Sequence, residues 1–207
     1  VVFLFLDYDG TISPIAGTPY KAVISKKTRK LIKRLSVHPR RKVAIISGRA
    51  LEDIQNKIGL KFVIYAGNHG LEIEGPKIRF QYSLAPGYKF IIRNIDNVLK
   101  HELRGLKGVL IENKAICLSL HYRLAKKKDI LLIKAVFKDA TLPYVISEKV
   151  KISSGKKLLE VRPPVSWNKG SVVMWLLARQ KVILRNKSIA PIYIGDESTD
   201  QDAFKVL

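Results

Sequence analysis

The sequence predicts a doubly wound α/β fold, a parallel sheet with helices on both faces, carrying an inserted α+β module. Three observations predict it. Short, unbroken apolar runs at 1–6 (VVFLFL), 42–47 (KVAIIS), 61–67 (KFVIYAG) and 190–195 (APIYIG) read as strands buried on both faces. Helical patterns lie between them, and strand–helix alternation calls for a parallel sheet. From about Pro76 to Ser154 the alternation gives way to helices interleaved with paired strand candidates.

Each element follows from local pattern. After the first strand, SKKTRKLIKRLS offers Ser25 as an N-cap and places Leu31, Ile32 and Leu35 at helical spacing. ALEDIQNKIG puts Leu51, Ile54 and Ile58 on one helix face and ends on Gly59, a natural stop. KGSVVMWLLARQK (169–181) is a third, largely apolar helix. In the middle, helices over 86–104 and 125–138 are each followed by a hairpin: GVLIEN with AICLSLHY, then PYVISE with VKISS. The first hairpin has Asn113 and Lys114 where a glycine turn would be usual. A core of 1–75 and 155–207 is therefore expected, with the module at 76–154. The final AFKVL reads as the first turns of a helix, and a doubly wound sheet is expected to continue past it.

Composition narrows the class. A chain of 207 residues and 23.4 kDa suits one domain with a modest insertion. Folded, it should expose about 9,700 Å² as a monomer, enough burial to need no metal or disulfide staples. With 47% hydrophobic and 27% charged residues it is neither disordered nor fibrous. The lone Cys117 rules out a disulfide framework and a cysteine-held zinc or iron–sulfur cluster. No apolar run approaches membrane-spanning length, and VVFLFL is too short for a signal-peptide core. The expectation is a soluble, cytoplasmic protein with no membrane partner.

Charge is distributed unevenly. Thirty-eight basic against 17 acidic residues give +21, which suits a phosphate-bearing partner. A lysine-rich solvated surface explains the same number. Ten basic residues and no acid lie between Lys21 and Lys42, and between Lys156 and Lys187 the one acid is Glu160. Six of the 17 acids crowd into two clusters: Asp7 and Asp9, then Asp196, Glu197, Asp200 and Asp202. Carboxylates gathered this way in a basic chain point to a bound cation. Nucleic acid is not the expected partner, since aromatic residues are only 8% and no helix–turn–helix, RRM or zinc signature is present.

Four short motifs carry chemistry. In LDYDGT, Asp7 and Asp9 are spaced i, i+2 after a strand, so both can face the crevice beyond its carboxyl end, and Gly10 turns the chain away. An Asx-type turn accounts equally well for this motif alone. In IISGR, Ser47 is placed to cap the next helix, whose N–H groups and hydroxyl could also receive a phosphate. Asn168 caps the third helix and Lys169 sits in its first turn, where a cation opposes the helix dipole. Either something anionic calls for it or it is a snorkelling surface lysine. In YIGDESTDQDAF, Asp196 ends a strand and Asp200 starts a helix; carboxylates at strand ends make a hard oxygen site suited to magnesium.

In the order DxDGT, SGR, K, GDxxxD, these pieces resemble the four motifs of the haloacid dehalogenase (HAD) superfamily of phosphatases. The resemblance implies an HAD-like Rossmannoid core with an α/β cap domain, and Asp7 as a nucleophile that forms an aspartyl-phosphate. It further implies Asp9 as acid and then base, and Ser47, Gly48 and Lys169 holding the phosphoryl group. Mg²⁺ would be bound by Asp7, the Asp9 carbonyl and Asp196, with Thr11 and Asp200 supporting them from behind. A narrower resemblance, to trehalose-6-phosphate phosphatases, rests on GNHGLEI (67–73), LSLHYR (118–123), KKLLEVRPPVSWNKG (156–170) and GDESTDQDAF. It implies a sugar-phosphate substrate contacted by Arg49, His69, Gly70, Glu72, Arg123, Lys156, Glu160 and Arg162. A fused or associated trehalose-6-phosphate synthase is also in keeping with it. Sucrose and mannosylglycerate-type phosphatases and phosphomannomutases share the core motifs and remain open.

Overall fold

The structure is a computed structural model that describes residues 1–183 and 188–207. Arg185 and Lys187, the end of the second basic run, lie outside the described residues. In chain order the elements are β1 (Val2–Leu6), α1 (Lys26–Ser36), β2 (Arg41–Ile46), α2 (Leu51–Ile58), β3 (Ile64–Gly67), β4 (Glu72–Gly75) and β5 (Ile78–Gln81). There follow α3 (Tyr88–Glu102), β6 (Leu110–Asn113), β7 (Leu118–His121), α4 (Ile130–Ile146), β8 (Lys151–Gly155) and β9 (Leu158–Arg162). Last come α5 (Lys169–Ile183), β10 (Ala190–Ile194) and the short α6 (Gln201–Phe204). They form two compact units, residues 1–82 with 166–207, and residues 83–165.

The first unit is a six-stranded sheet in the order β10-β1-β2-β3-β4-β5. Strands β10, β1, β2 and β3 are parallel, and β4 and β5 continue the sheet antiparallel. Alternation along β1 explains its unbroken apolar run. Phe3 and Phe5 pack with Val172, Val173 and Leu176 of α5 on one face, while Leu4 and Leu6 pack with Ile32 of α1 and Ile54 and Ile58 of α2 on the other. Ser25 caps α1, accepting from the Thr28 N–H at 3.0 Å, and Gly59 ends α2 at φ 61°. Asn168 caps α5, accepting from the Ser171 N–H at 2.9 Å.

The second unit lays α3 and α4 on an antiparallel sheet in the order β6-β7-β9-β8. Leu118, Leu120 and Val161 face the helices, where they meet Ile92, Ile95, Ile133 and Phe137. The register aligns Glu112, Ser119, Glu160 and Ser153 in one row across all four strands. By the period of two, this row lies on the opposite face. The β6–β7 turn manages without glycine by holding Ala115 at φ 66° and giving its N–H to Asn113 Oδ1 at 2.9 Å.

Two expectations need correction. PYVISE is not a strand, because residues up to Ile146 complete α4; the helix expected at 125–138 runs over 130–146 after a 3-10 turn at Lys127–Asp129. A proline followed by β-branched and aromatic residues mimics a strand, but burial of Ile133, Phe137 and Thr141 on one side carries the helix through. VKISS accordingly pairs with β9. The joins between units fall at 82/83 and 165/166, later than the expected 76 and 154, because β5 belongs to the first sheet and β9 to the second.

Candidate active site

Sheet register assembles the candidate site. Leu6 of β1 aligns with Ile45 of β2 and with Ile194 of β10, so these strands run out together. Beyond those ends stand Asp7, Ser47 and Asp196. The Asp7 N–H donates to the Ile194 carbonyl at 2.9 Å, and the Ser47 N–H to the Ala66 carbonyl at 2.9 Å. From β1 the chain passes to β2 on one side, and β10 returns on the other. This is the topological switch at which open α/β sheets bind ligands.

Lys169 is the electrostatic centre. Only 1% exposed, it donates to Asp7 Oδ1 at 2.6 Å and to Asp200 Oδ1 at 2.7 Å, and Glu197 lies 4.0 Å away. That burial disposes of the snorkelling alternative. The Tyr193 hydroxyl also donates to Asp200 Oδ1, at 2.6 Å, and the Glu197 N–H donates to its Oδ2 at 2.8 Å, so Asp200 is held from three sides. Burial alone would push the Lys169 ammonium down, but Asp7 and Asp200 beside it raise it. The opposite holds at Asp7, where burial outweighs the attraction of Lys169 and pushes the carboxyl up to about 7.

A carboxylate in that state is short of cation. Asp7 Oδ2 is buried with no hydrogen-bond partner. Nearby, Gly10 takes φ 90°, and a Cβ there would fall 2.6 Å from Asp196 Cγ, so only glycine lets the Asp196 carboxylate close over this turn. Thr11 Oγ1 donates to Asp196 Oδ1 at 2.8 Å and fixes it. Among the described residues no three His, Cys, Asp or Glu side chains converge as a metal site. The expected donor set needs only two, Asp7 and Asp196, with the main-chain carbonyl of Asp9 as the third oxygen. An orphaned carboxylate oxygen in an all-oxygen set fits a hard divalent cation.

Ser47 is buried but does not cap α2, whose N-cap position is Ala50. Its hydroxyl instead accepts the Arg49 N–H at 3.2 Å within the loop. A turn over 68–70 braces that loop: the Asn68 N–H donates to the Arg49 carbonyl at 2.6 Å and the His69 N–H to the Ser47 carbonyl at 2.9 Å. Asn68 and His69 both take positive φ, 50° and 57°, a conformation costly for side-chain-bearing residues and often stored at functional sites. The His69 ring packs on Gly48, where a Cβ would come within 2.6 Å of it. Trp167 Nε1 donates to the Gly70 carbonyl at 2.8 Å and ties the turn to the start of α5.

Arg49 is held between two carboxylates. Its guanidinium forks Asp9, Nε to Oδ2 and Nη2 to Oδ1, both at 2.7 Å. It also donates to Asp53 Oδ2 at 2.8 Å and the Pro19 carbonyl at 3.0 Å, and lies over the Tyr8 ring. Sequence reasoning missed Asp53, whose one signal was its place four residues after Arg49 in the first turn of α2.

The comparisons with known proteins bear on this arrangement. The family model for trehalose-phosphatase matches residues 5–207. The chain belongs to the trehalose-phosphatase family. Among its curated relatives, trehalose-phosphate phosphatase B of Arabidopsis thaliana is 35% identical over 219 residues, covering 100% of this chain and 56% of the relative. Trehalose 6-phosphate phosphatase RA3 of Zea mays is 34% identical over 220 residues, covering 100% and 59%. The chain thus spans little more than half the length of these relatives. The C-terminal domain of Candida albicans trehalose-6-phosphate phosphatase superposes with a TM-score of 0.81 at 27% identity, covering 99% of this chain and 73% of that one. A trehalose-6-phosphate phosphatase related protein, at 22% identity, shares the fold with a TM-score of 0.77 over 99% and 82%. The trehalose-phosphatase fold is therefore the HAD-type α/β fold expected from the motifs.

The residues assigned to sugar contact divide between the units. Arg49, His69, Gly70 and Glu72 belong to the first, where Glu72 Oε2 accepts from Asn68 Nδ2 at 2.7 Å. Arg123, Lys156, Glu160 and Arg162 belong to the second. Arg123 and Lys156 are exposed and adjoining, Arg123 Nη2 donating to the Lys156 carbonyl at 3.3 Å. Glu160 is only 4% exposed and accepts from Lys114 Nζ at 3.0 Å, Ser119 Oγ at 3.0 Å and Ser153 Oγ at 3.4 Å. Lys114 was not anticipated; a lysine beside a hairpin turn carries no pattern that marks it as buried.

Proposed function

We propose that this chain hydrolyses trehalose 6-phosphate to trehalose and phosphate through a phosphoryl group carried on Asp7. The supporting observation is the buried Lys169 between Asp7 and Asp200 at the sheet's switch point, in a chain that matches the trehalose-phosphatase family along nearly its whole length.

Asp7 attacks phosphorus, forming the Asp7 O–P bond as the P–O bond to the sugar breaks, and Asp9 gives its proton to the departing sugar oxygen. Asp9 then takes a proton from water, whose oxygen attacks phosphorus, and the Asp7 O–P bond breaks to release phosphate. Ser47, the backbone around Gly48 and Lys169 hold the phosphoryl oxygens and offset their charge. Asp7, Asp196 and the Asp9 carbonyl would hold Mg²⁺, which when bound supplies positive charge to the phosphoryl oxygens and to Asp7. Because the Arg49 fork presents Asp9 as a paired carboxylate, we read Arg49 and Asp53 as the holders of Asp9 between turnovers. The face of the second sheet that carries half-buried Glu112 and Arg162 is what we assign to the sugar hydroxyls, with Glu160, buried against Lys114 and Ser119, holding that face in place.

Phosphate release measured over a panel of sugar phosphates, with magnesium and with excess chelator, tests this reading. Trehalose 6-phosphate should be turned over well ahead of glucose 6-phosphate, sucrose 6-phosphate and mannose 6-phosphate, and chelator should abolish turnover. Equal rates across the panel would make the chain a broad sugar phosphatase, and full activity in chelator would remove the cation from the account.

A further inference from the structure

The second unit buries an acid that the reaction does not use. Asp96 lies on the buried side of α3 with Ile92, Ile95 and Leu99, and is only 5% exposed. A carboxylate in apolar surroundings is costly unless its oxygens are hydrogen-bonded, and this one is half satisfied. Its Oδ1 is buried with no hydrogen-bond partner among the described residues. Its Oδ2 accepts from Lys100 Nζ at 2.8 Å and from Asn113 Nδ2 at 2.9 Å. Lys100 is largely exposed, and an i, i+4 ion pair of that kind contributes little. The bond to Asn113 reaches further, because it ties α3 to the last residue of β6.

What Asn113 holds is the β6–β7 turn. Its amide is fixed at both ends: Nδ2 donates to Asp96, and Oδ1 accepts the Ala115 N–H at 2.9 Å. Ala115 sits at φ 66°, and the N–H groups of Lys114 and Ile116 close the turn on the Cys117 and Lys114 carbonyls at 2.9 and 2.8 Å. A side-chain-bearing residue at positive φ persists only where its surroundings hold it. Lys114 is part of this turn, and its ammonium donates to Glu160 Oε1 at 3.0 Å. Asn113 pairs with Leu118, on the helix side of the sheet, whereas Glu160 pairs with Ser119 on the other side. A bond made behind the sheet therefore fixes a lysine that works in front of it.

We propose that Asp96 is a positioning residue for sugar recognition: through Asn113 it sets the turn that aims Lys114 at Glu160, and with it the face that carries Glu112 and Arg162. The inference rests on the reading of that face as the one that takes the sugar hydroxyls. Asparagine at position 96 keeps an oxygen for the Asn113 amide, whereas leucine, of similar volume, keeps none.

Steady-state kinetics on trehalose 6-phosphate and on an aryl phosphate, both with magnesium, test this. Asp96→Leu should raise KM for trehalose 6-phosphate by about tenfold with kcat little changed, the loss of one buried hydrogen bond. Hydrolysis of the aryl phosphate should stay at the parent rate, and Asp96→Asn should resemble the parent on both substrates. Asn113 is exposed, so Asn113→Ala opens the other end of the bridge without entering the core, and it should raise KM equally. Combining it with Asp96→Leu should add nothing, and neither should Asp96→Leu in a Lys114→Met background, because one path carries the effect. Thermal melts verify that each variant is folded. Equal loss on both substrates, or additive losses in the combined variants, would make Asp96 a support of the fold alone and overturn the proposal. Glu160→Ala separates the two readings. If it raises KM for trehalose 6-phosphate while Asp96→Leu and Asn113→Ala do not, the sugar face stands and the role of Asp96 falls. If Glu160→Ala leaves trehalose 6-phosphate kinetics unchanged, the assignment of that face falls, and this inference with it.

Discussion

Each unit of the molecule buries a lysine against carboxylate, and the two lysines are differently surrounded. Around Lys169 stand Asp7, Asp200 and Glu197, three acids to one ammonium, and Asp7 Oδ2 lacks a partner. Around Lys114, Glu160 is met by the ammonium and two serine hydroxyls as well. Buried charge is tolerated when it is paired and hydrogen-bonded. The Lys114 set meets that condition within the protein, and the Lys169 set does not. We read this electrostatic deficit as the position where a further cation and an anionic substrate belong.

The largest expected effect bears on that deficit. Asp7→Asn should reduce trehalose 6-phosphate turnover to background, because an amide of the same volume cannot attack phosphorus. The same variant should be more stable than the parent in chelator at neutral pH. The sign follows from burial: the folded carboxyl titrates near 7 and the unfolded one near 3.8, so the folded state binds more protons between those values. Parent stability should thus fall as pH rises from about 4 to about 7, and the variant should lack this slope in thermal melts.

Removing the cation should do the reverse. Lys169→Met leaves Asp7 and Asp200 buried without their ammonium and should cost about 3–5 kcal/mol in denaturant unfolding, besides abolishing turnover. Stability equal to the parent would contradict the picture of one ammonium holding two carboxylates.

Smaller effects sharpen the comparison. Asp9→Asn should slow turnover by about 10²–10⁴. Arg49→Lys keeps the charge but loses the fork and should fall between this variant and the parent, with the loss in kcat and not in KM. In the second unit, Glu160→Ala should cut turnover of trehalose 6-phosphate and spare a simple aryl phosphate, because Asp7 and Lys169 are untouched. Equal loss on both substrates would make Glu160 purely structural.

What the sequence disclosed tracks how local each signal is. The placement of Asp7, Asp9, Ser47, Lys169, Asp196 and Asp200 at strand ends and helix starts was legible because those places leave short motifs, and parallel register brings the strand ends together. Ser25 and Gly59 were legible as caps for the same reason. The end of α4 was not: PYVI is apolar on every side, so neither period shows, and only packing of Ile133, Phe137 and Thr141 decides for helix. The Arg49 fork was also hidden, since it joins residues forty positions apart through side chains alone. Lys114 and Glu160 meet across the sheet, a pairing that depends on the β7–β9 register and leaves no trace in either segment.

The central claim is that Asp7 carries the phosphoryl group, and Asp9→Asn allows it to be caught. With an aryl phosphate the leaving group needs little protonation, so phosphoryl transfer proceeds while hydrolysis stalls for want of a base. Protein quenched in acid during turnover, digested and weighed by mass spectrometry should then show one added phosphoryl group on the peptide containing Asp7. That group should be absent from the Asp7→Asn variant. A phosphoryl group on a different peptide, or none on Asp9→Asn protein that still turns over substrate, would contradict the account.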